Sequence, residues 1–284
     1  MHEKRINKRR IKRKGYSVGA DITKNKHAEV YYRNALDHEI AAFLDSINKN
    51  IKLDFGNAEA ILATMRLYEN VIMTVLLDNS EKIIHKWLNI ATKKADKSLR
   101  EAIYGDLADS ITINYDKAYD SSLKMIVQRN VALIKNTTTQ TLTNIENIVF
   151  DSMTTGQGWY QTEKDLITQT HISRDKIKRI ARDQTAKTNT ALNYLTQKAA
   201  GIEYFEWRTA NDERVSTGYG GHKQLNGKIF KWGDEQNYPI IDSYGHKGIP
   251  SQRPNCRCVA LPVFVQKGFH LNKQSDGSYK IERD

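Results

Sequence analysis

"NYLTQKAAGIEYFEWRTAND", Asn193 to Asp212, is where the pattern of the chain changes. Up to Ala200 the residues follow a helical period, with Lys198 placed in a last turn. Gly201 then reads as the left-handed residue that closes a helix. Beyond it Phe205, Trp207 and Thr209 alternate with Tyr204, Glu206 and Arg208, the two-residue period of a strand that ends in an Asn-Asp turn. A helix that hands over to a short strand predicts an α+β fold, predominantly α. An elongated helical region should precede a small mixed α/β C-terminal module.

Toward the N-terminus the helical reading continues. All four prolines (Pro239, Pro250, Pro254, Pro262) lie after residue 238, and a proline inside a helix costs about 3 kcal/mol. Leu36, Ile40, Phe43, Leu44 and Ile47 form one apolar stripe, and Ile61, Met65, Tyr68, Ile72 and Val75 a second, parted at Gly56 and Asn57. A third helix is expected from Ser80 to Lys94, with Ile83, Ile84, Trp87, Leu88 and Ala91 inward. Shorter pieces should follow around Leu99 to Leu107. The longest stripe runs from Tyr115 to Val149, and the threonines of "KNTTTQT" (Lys135 to Thr141) predict a kink or break at its centre. "TGQG" (Thr155 to Gly158) is a turn signal. A helix over 160–169 should follow, then another with Ser173 as its N-cap.

After Gly201 further strands are expected in "GKIFKW" (Gly227 to Trp232) and "CRCVALPVF" (Cys256 to Phe264). The divisions are thus a disordered basic tail (1–20), an N-terminal helical region (21–114), a long-helix region (115–201), the strand-containing module (202–265) and a C-terminal tail (266–284). No window is expected to span a bilayer, and no apolar segment follows the basic start as a secretory leader would require. Two cysteines cannot build a secreted disulfide framework.

The net charge of +11 is concentrated. Residues 1–14 hold eight cations, Lys4, Arg5, Lys8, Arg9, Arg10, Lys12, Arg13 and Lys14, against Glu3 alone. Such a block should repel itself, and it reads either as a solvated tail or as an arm that binds polyanions such as non-specific double-stranded DNA.

The chemistry-bearing residues collect near the C-terminus: Asp212, Glu213, Arg214, His222, His246 and, in "RPNCRC", Cys256 and Cys258. In a strand the two thiols would share a face, with His222 and His246 as third and fourth ligands for a zinc ion. The spacing C-x-C is not that of common zinc knuckles. The favoured expectation is therefore a structural corner with no metal and no cofactor. "TGYGGHKQ" (Thr217 to Gln224) lacks the G-K-[ST] of a phosphate loop and reads as a flexible loop.

Taken in order, "TGQGW", "RIARDQTAKTNTALNYLTQKAAGIEYFEWRTANDERVSTGYGGHKQLNGKIF" and "IPSQRPNCRCVALPVF" resemble the phage Mu F-like minor head proteins, the phage head morphogenesis family. The resemblance covers roughly residues 120–264. It rests on Ala200, Gly201, Trp207, Asp212, Arg214, Val215, His222, Leu225, Gly227, Pro254, Asn255, Cys256, Arg257 and Cys258. Arg253 stands where the family usually has histidine, and Arg182, Asp183 and Gln184 replace an Arg-Thr-Glu-like triplet.

The resemblance implies a minor capsid protein and no enzyme, found in the virion, inside the head near the portal, and in the host cytoplasm during assembly. Implied partners are the portal protein and a major capsid or scaffolding protein, with a role in DNA packaging, delivery or ejection. Trp207, Asp212, Arg214, His222, Gly227, Pro254, Asn255, Cys256, Arg257 and Cys258 would be its structural motif. The rival reading is a metal-dependent nuclease or toxin-like enzyme that uses Asp212, His222 and the cysteines.

Overall fold

A computed structural model describes residues 10–19, 25–103 and 113–284. The helices are α1 (Lys26–Asp54), α2 (Ala58–Leu67), α3 (Met73–Ile103), α4 (Lys117–Thr155) and α5 (Trp159–Ala199), with a π turn at Tyr68–Ile72. The strands are β1 (Arg10–Arg13), β2 (Tyr16–Gly19), β3 (Tyr204–Arg208), β4 (Ile229–Lys231), β5 (Val259–Val265), β6 (Phe269–Lys273) and β7 (Tyr279–Arg283). The fold is α+β and mostly α, as expected. Two compact units divide the chain, and α3, α4 and α5 each give residues to both.

The first unit, Lys26–Asn89 with Leu123–Gln184, is all helical. Its core is the α1 stripe: Leu36, Ile40, Phe43, Leu44 and Ile47 are all buried, together with Tyr32 and Ile51. Tyr32 stacks on Trp87 of α3 at 4.2 Å and donates a hydrogen bond to Asn130 Oδ1 of α4 at 2.9 Å. Arg174 of α5 grips Asp37 of α1 with two hydrogen bonds, at 2.9 and 3.0 Å.

The second stripe departs from expectation. Ile61, Met65 and Tyr68 are buried, but the next buried residues are Met73 and Leu76, and Val75 is exposed. The π turn inserts one residue into the helical count, so the inward phase jumps five positions between Tyr68 and Met73. Leu62, Leu67, Val71 and Val75 are left exposed. The run Ala58–Ile103 also holds a window apolar and long enough, by composition, to cross a bilayer, which corrects the expectation that none would.

No break occurs at "KNTTTQT". Helix α4 runs through it, and Thr137, Thr138 and Thr141 are buried. Thr138 and Thr141 return their hydroxyls to the carbonyls of Ile134 and Thr137, and Thr141 also meets Ser173 Oγ of α5 at 3.0 Å. Satisfied small side chains let two helices approach closely, which outweighs weak propensity. Ser173 is therefore inside α5, not at an N-cap, and α5 is a single helix.

The second unit contains the described parts of Met1–Asn25, Ile90–Ser122 and Thr185–Asp284. Its sheet is antiparallel, in the order β1-β2-β5-β3-β4-β7-β6. One face carries Phe205, Trp207, Phe230, Trp232 and Ala260. The other carries Val18, Ile229, Leu261 and Val263. Glu206 also lies on the second face, fully buried. It accepts hydrogen bonds from Tyr16 Oη and from the Arg208 guanidinium.

Both presumed tails enter this sheet. Residues 10–19 form the β1–β2 hairpin, and β2 pairs with β5. The charge run is thus not disordered throughout: Arg10–Arg13 forms β1, at the edge of the sheet. Residues 266–284 form the β6–β7 hairpin, turned at Asp276-Gly277, a dipeptide that favours such turns.

Helix α5 ends as its sequence suggests. Gly201 has φ of 72°, its N–H reaches Lys198 O, and the Ile202 N–H reaches Gln197 O at 2.9 Å. This pair of bonds is a Schellman closure. Gly201→Ala meets open space at Cβ, so it should cost only the left-handed backbone, about 1–2 kcal/mol. Ile134→Asp buries a charge at a fully enclosed position and should cost several kcal/mol. Urea unfolding of the two variants checks both values.

Candidate functional site

The site is made by two loops. The first leaves β3 and runs to His222. Its glycines do not make it a free loop. Gly220 sits at φ of 66°, and a Cβ there would lie 2.2 Å from the Asp242 carbonyl oxygen. This close backbone approach sets His222 against Ile241. Its N–H is held by Ser216 Oγ at 3.1 Å, and its ring meets Trp207 edge-on at 5.3 Å between centroids.

The second loop is "RPNCRC". It precedes β5 and is not itself a strand, contrary to the expected strand beginning at Cys256. A turn closes from Cys256 N–H to Arg253 O at 3.2 Å. Asn255 takes φ of 59°, a conformation asparagine tolerates better than most residues. Ser251 Oγ donates to Cys258 O at 3.0 Å.

The two loops bring three donors together. His222 Nδ1 lies 3.4 Å from Cys256 Sγ and 3.4 Å from Cys258 Sγ. Its other nitrogen, Nε2, is 3.1 Å from Ile241 O. A carbonyl can only accept, so Nε2 carries the proton and Nδ1 presents a lone pair to the sulfurs. His222 and Cys258 are only 5% and 4% exposed, and neither cysteine is in a disulfide. The Cys256 thiol is drawn well below the ordinary range, chiefly by a hydrogen bond from Cys258. Cys258 is pushed up by that same hydrogen bond and by burial. All three residues line a recess of ≈ 200 Å³, shared with Arg214, Arg253 and Asn255.

His246 is not brought to this cluster. It is exposed, and its Nδ1 pairs with Asp242 Oδ2 at 2.8 Å. Among the described residues, the group able to hold a metal ion is His222, Cys256 and Cys258. Asp212 does not point to it either. Both its oxygens are taken by the Arg257 guanidinium, the Nη2 bond at 2.6 Å, and Arg214 is 3.5 Å away. Arg253 Nη1 donates to Ile241 O at 2.9 Å, the same carbonyl that orients His222.

Trp207 lies fully buried behind the site, and Gly227 turns the chain into β4 at φ of 82°. Of the tail cations, Lys4, Arg5, Lys8 and Arg9 lie outside the described residues, Arg10, Lys12 and Arg13 belong to β1, and Lys14 is exposed in the hairpin turn. The motif spacing did not reveal Ile241. Its only signal was the Gly-Gly pair before His222, which marks a tight backbone approach.

The comparison with known families falls on this region: residues 143–261 match the family of phage Mu protein F like proteins. These residues are similar to that family. They take in the end of α4, all of α5, β3, β4, both site loops and the start of β5. A Haemophilus influenzae protein described as uncharacterized is 24% identical over 265 residues, covering 85% of this chain and 54% of that protein. The chain thus spans about half the length of this curated relative. No solved structure matches.

Within the matched residues the Arg257 guanidinium holds the Asp212 carboxyl well below its usual range. A depressed folded pKa gives stability that is complete above about pH 4 and is lost as pH falls through the folded value. An NMR titration of the Asp212 carboxyl should show this depression, and Arg257→Ala should return the midpoint close to the ordinary value.

Proposed function

We propose that the protein works in phage head morphogenesis as a non-enzymatic minor head component. The observation that supports this most is the Mu F-like match over residues 143–261, which coincides with a module whose motif residues serve structural ends. Asp212 and Arg257 clamp each other, Gly227 makes a turn, and Trp207 fills the core. Asp212 is engaged by Arg257 and does not face His222 and the cysteines, which weighs against the nuclease reading that needs it as a base. Within this proposal, the protein docks on the portal inside the head and touches packaged DNA through its basic N-terminal residues.

Co-expression with the cognate portal, scaffolding and major capsid proteins tests the assembly role. The protein should sediment with assembled heads and should be retained when the portal is present. A protein that stays at the top of the gradient in every combination would contradict the reading.

DNA contact has its own test. Neutralising eight phosphates gives a slope of log K against log salt no steeper than roughly −7 on duplex DNA. Binding should be nearly independent of sequence, because the basic run brings no base-reading element. Replacing the eight cations by glutamine is preferable to deletion, since Arg10–Arg13 forms β1. That variant should lose most DNA affinity; unchanged affinity would refute the contact.

A further inference from the structure

We propose that His222 Nδ1, Cys256 Sγ and Cys258 Sγ are ligands of one zinc ion whose fourth coordination position opens onto the adjoining recess. The geometry carries this independently of any role in the phage head. Zinc–sulfur bonds of about 2.3 Å and zinc–nitrogen bonds of about 2.0–2.1 Å place sulfur and nitrogen about 3.6 Å apart around a tetrahedral ion. The two observed separations are both 3.4 Å. All three donor atoms lie within 4.8 Å of one another. The donors therefore need only small movements to close on an ion.

The surroundings fit a metal ligand set as well. A ligating histidine commonly donates its other ring N–H to a carbonyl or carboxylate, which fixes tautomer and orientation. His222 Nε2 does this toward Ile241 O, and that carbonyl is itself held by Arg253. Two thiolates neutralise a divalent cation, so the buried centre would carry little net charge. The neighbouring arginines do not oppose it. The guanidinium of Arg257 is paired with Asp212, and that of Arg253 is bound to a backbone carbonyl. Two soft sulfurs and one imidazole in a tetrahedral arrangement select zinc over harder cations. The departure from the expected family pattern at Arg253 thus leaves the ligand set intact, because the arginine supports His222 from behind.

The backbone supports the site from both sides. Gly220 against Asp242 fixes the His222 loop, and the left-handed Asn255 turns "RPNCRC" so that Cys256 and Cys258 both reach His222. C-x-C in an extended strand would set the thiols further apart; the turn is what makes one ion accessible to both.

Tag-free protein should be produced in zinc-supplemented medium, purified with a phosphine reductant and without chelator, then dialysed and analysed for metal. The expected content is roughly one equivalent of zinc. Cobalt(II) in place of zinc should give thiolate-to-cobalt charge-transfer absorption and the visible bands of a tetrahedral ion. Cys256→Ser with Cys258→Ser, and separately His222→Gln, should weaken cobalt binding by well over about tenfold, while His246→Ala should leave it unchanged. Cobalt titration of the unmutated protein decides the matter even where a variant fails to fold. Less than about a tenth of an equivalent of zinc, with no charge-transfer band on adding cobalt to the reduced protein, would overturn the proposal. So would a double cysteine variant that binds cobalt as tightly as the parent.

Discussion

Gln197 joins the helical and strand parts of the second unit. It is fully buried, two residues before α5 ends. Its Oε1 accepts from Trp232 Nε1 at 2.8 Å, and its Nε2 donates to Ala260 O at 3.4 Å. Its backbone carbonyl receives the Ile202 N–H that closes the helix. A buried amide left unpaired costs about 1–3 kcal/mol, so helix end, β4 exit and β5 are tied to one another. The strand between β4 and β5 is β3. Once these three are in register, the loop after β3 and the loop before β5 must meet at the same end of the sheet. His222 and the cysteines converge because of that register, with Trp207 of β3 beneath them.

Much of this architecture was legible in the residues. The proline-free run marked the helices, Gly201 marked their end, and alternation at Phe205, Trp207 and Thr209 marked β3. The failures have physical causes. A π turn cannot be seen in an apolar stripe, so the spacing points Val75 inward where the structure buries Met73 and Leu76. Threonine propensity argued for a break that close helix packing removed. The charge density of residues 1–14 masks the hairpin that β1 forms with β2, and the polar residues around Asp276-Gly277 read as a tail although they turn the β6–β7 hairpin. At the site, Cys256 and Cys258 were recognised as a pair. Their relation to His222 depends on a left-handed Asn255 and on the Gly220–Asp242 approach, neither of which spacing alone expresses. His246 looked equivalent to His222 in sequence, yet Asp242 holds it outside the cluster.

Charge placement separates the motif residues into two groups with different work. Asp212, Arg214 and Arg257 form an ion-paired set at the rim, engaged with one another. His222, Cys256 and Cys258 lie further in, with Arg253 behind them contributing a donor to a carbonyl. Because Asp212 holds the Arg257 guanidinium at the rim and the Ile241 carbonyl holds that of Arg253, neither arginine comes between the sulfurs and His222 Nδ1, which are 3.4 Å apart. This explains how a cysteine pair can be flanked by arginines on both sides in sequence and still present its sulfurs to a single nitrogen.

The Ile241 carbonyl fixes the His222 ring so that Nδ1 is the nitrogen offered to both sulfurs. Long-range ¹H–¹⁵N correlation NMR of ¹⁵N-histidine-labelled protein, freed of metal and kept reduced, reads this tautomer directly. The account predicts that His222 carries its proton on Nε2, with Nδ1 unprotonated. A His222 signal with the proton on Nδ1 would contradict it.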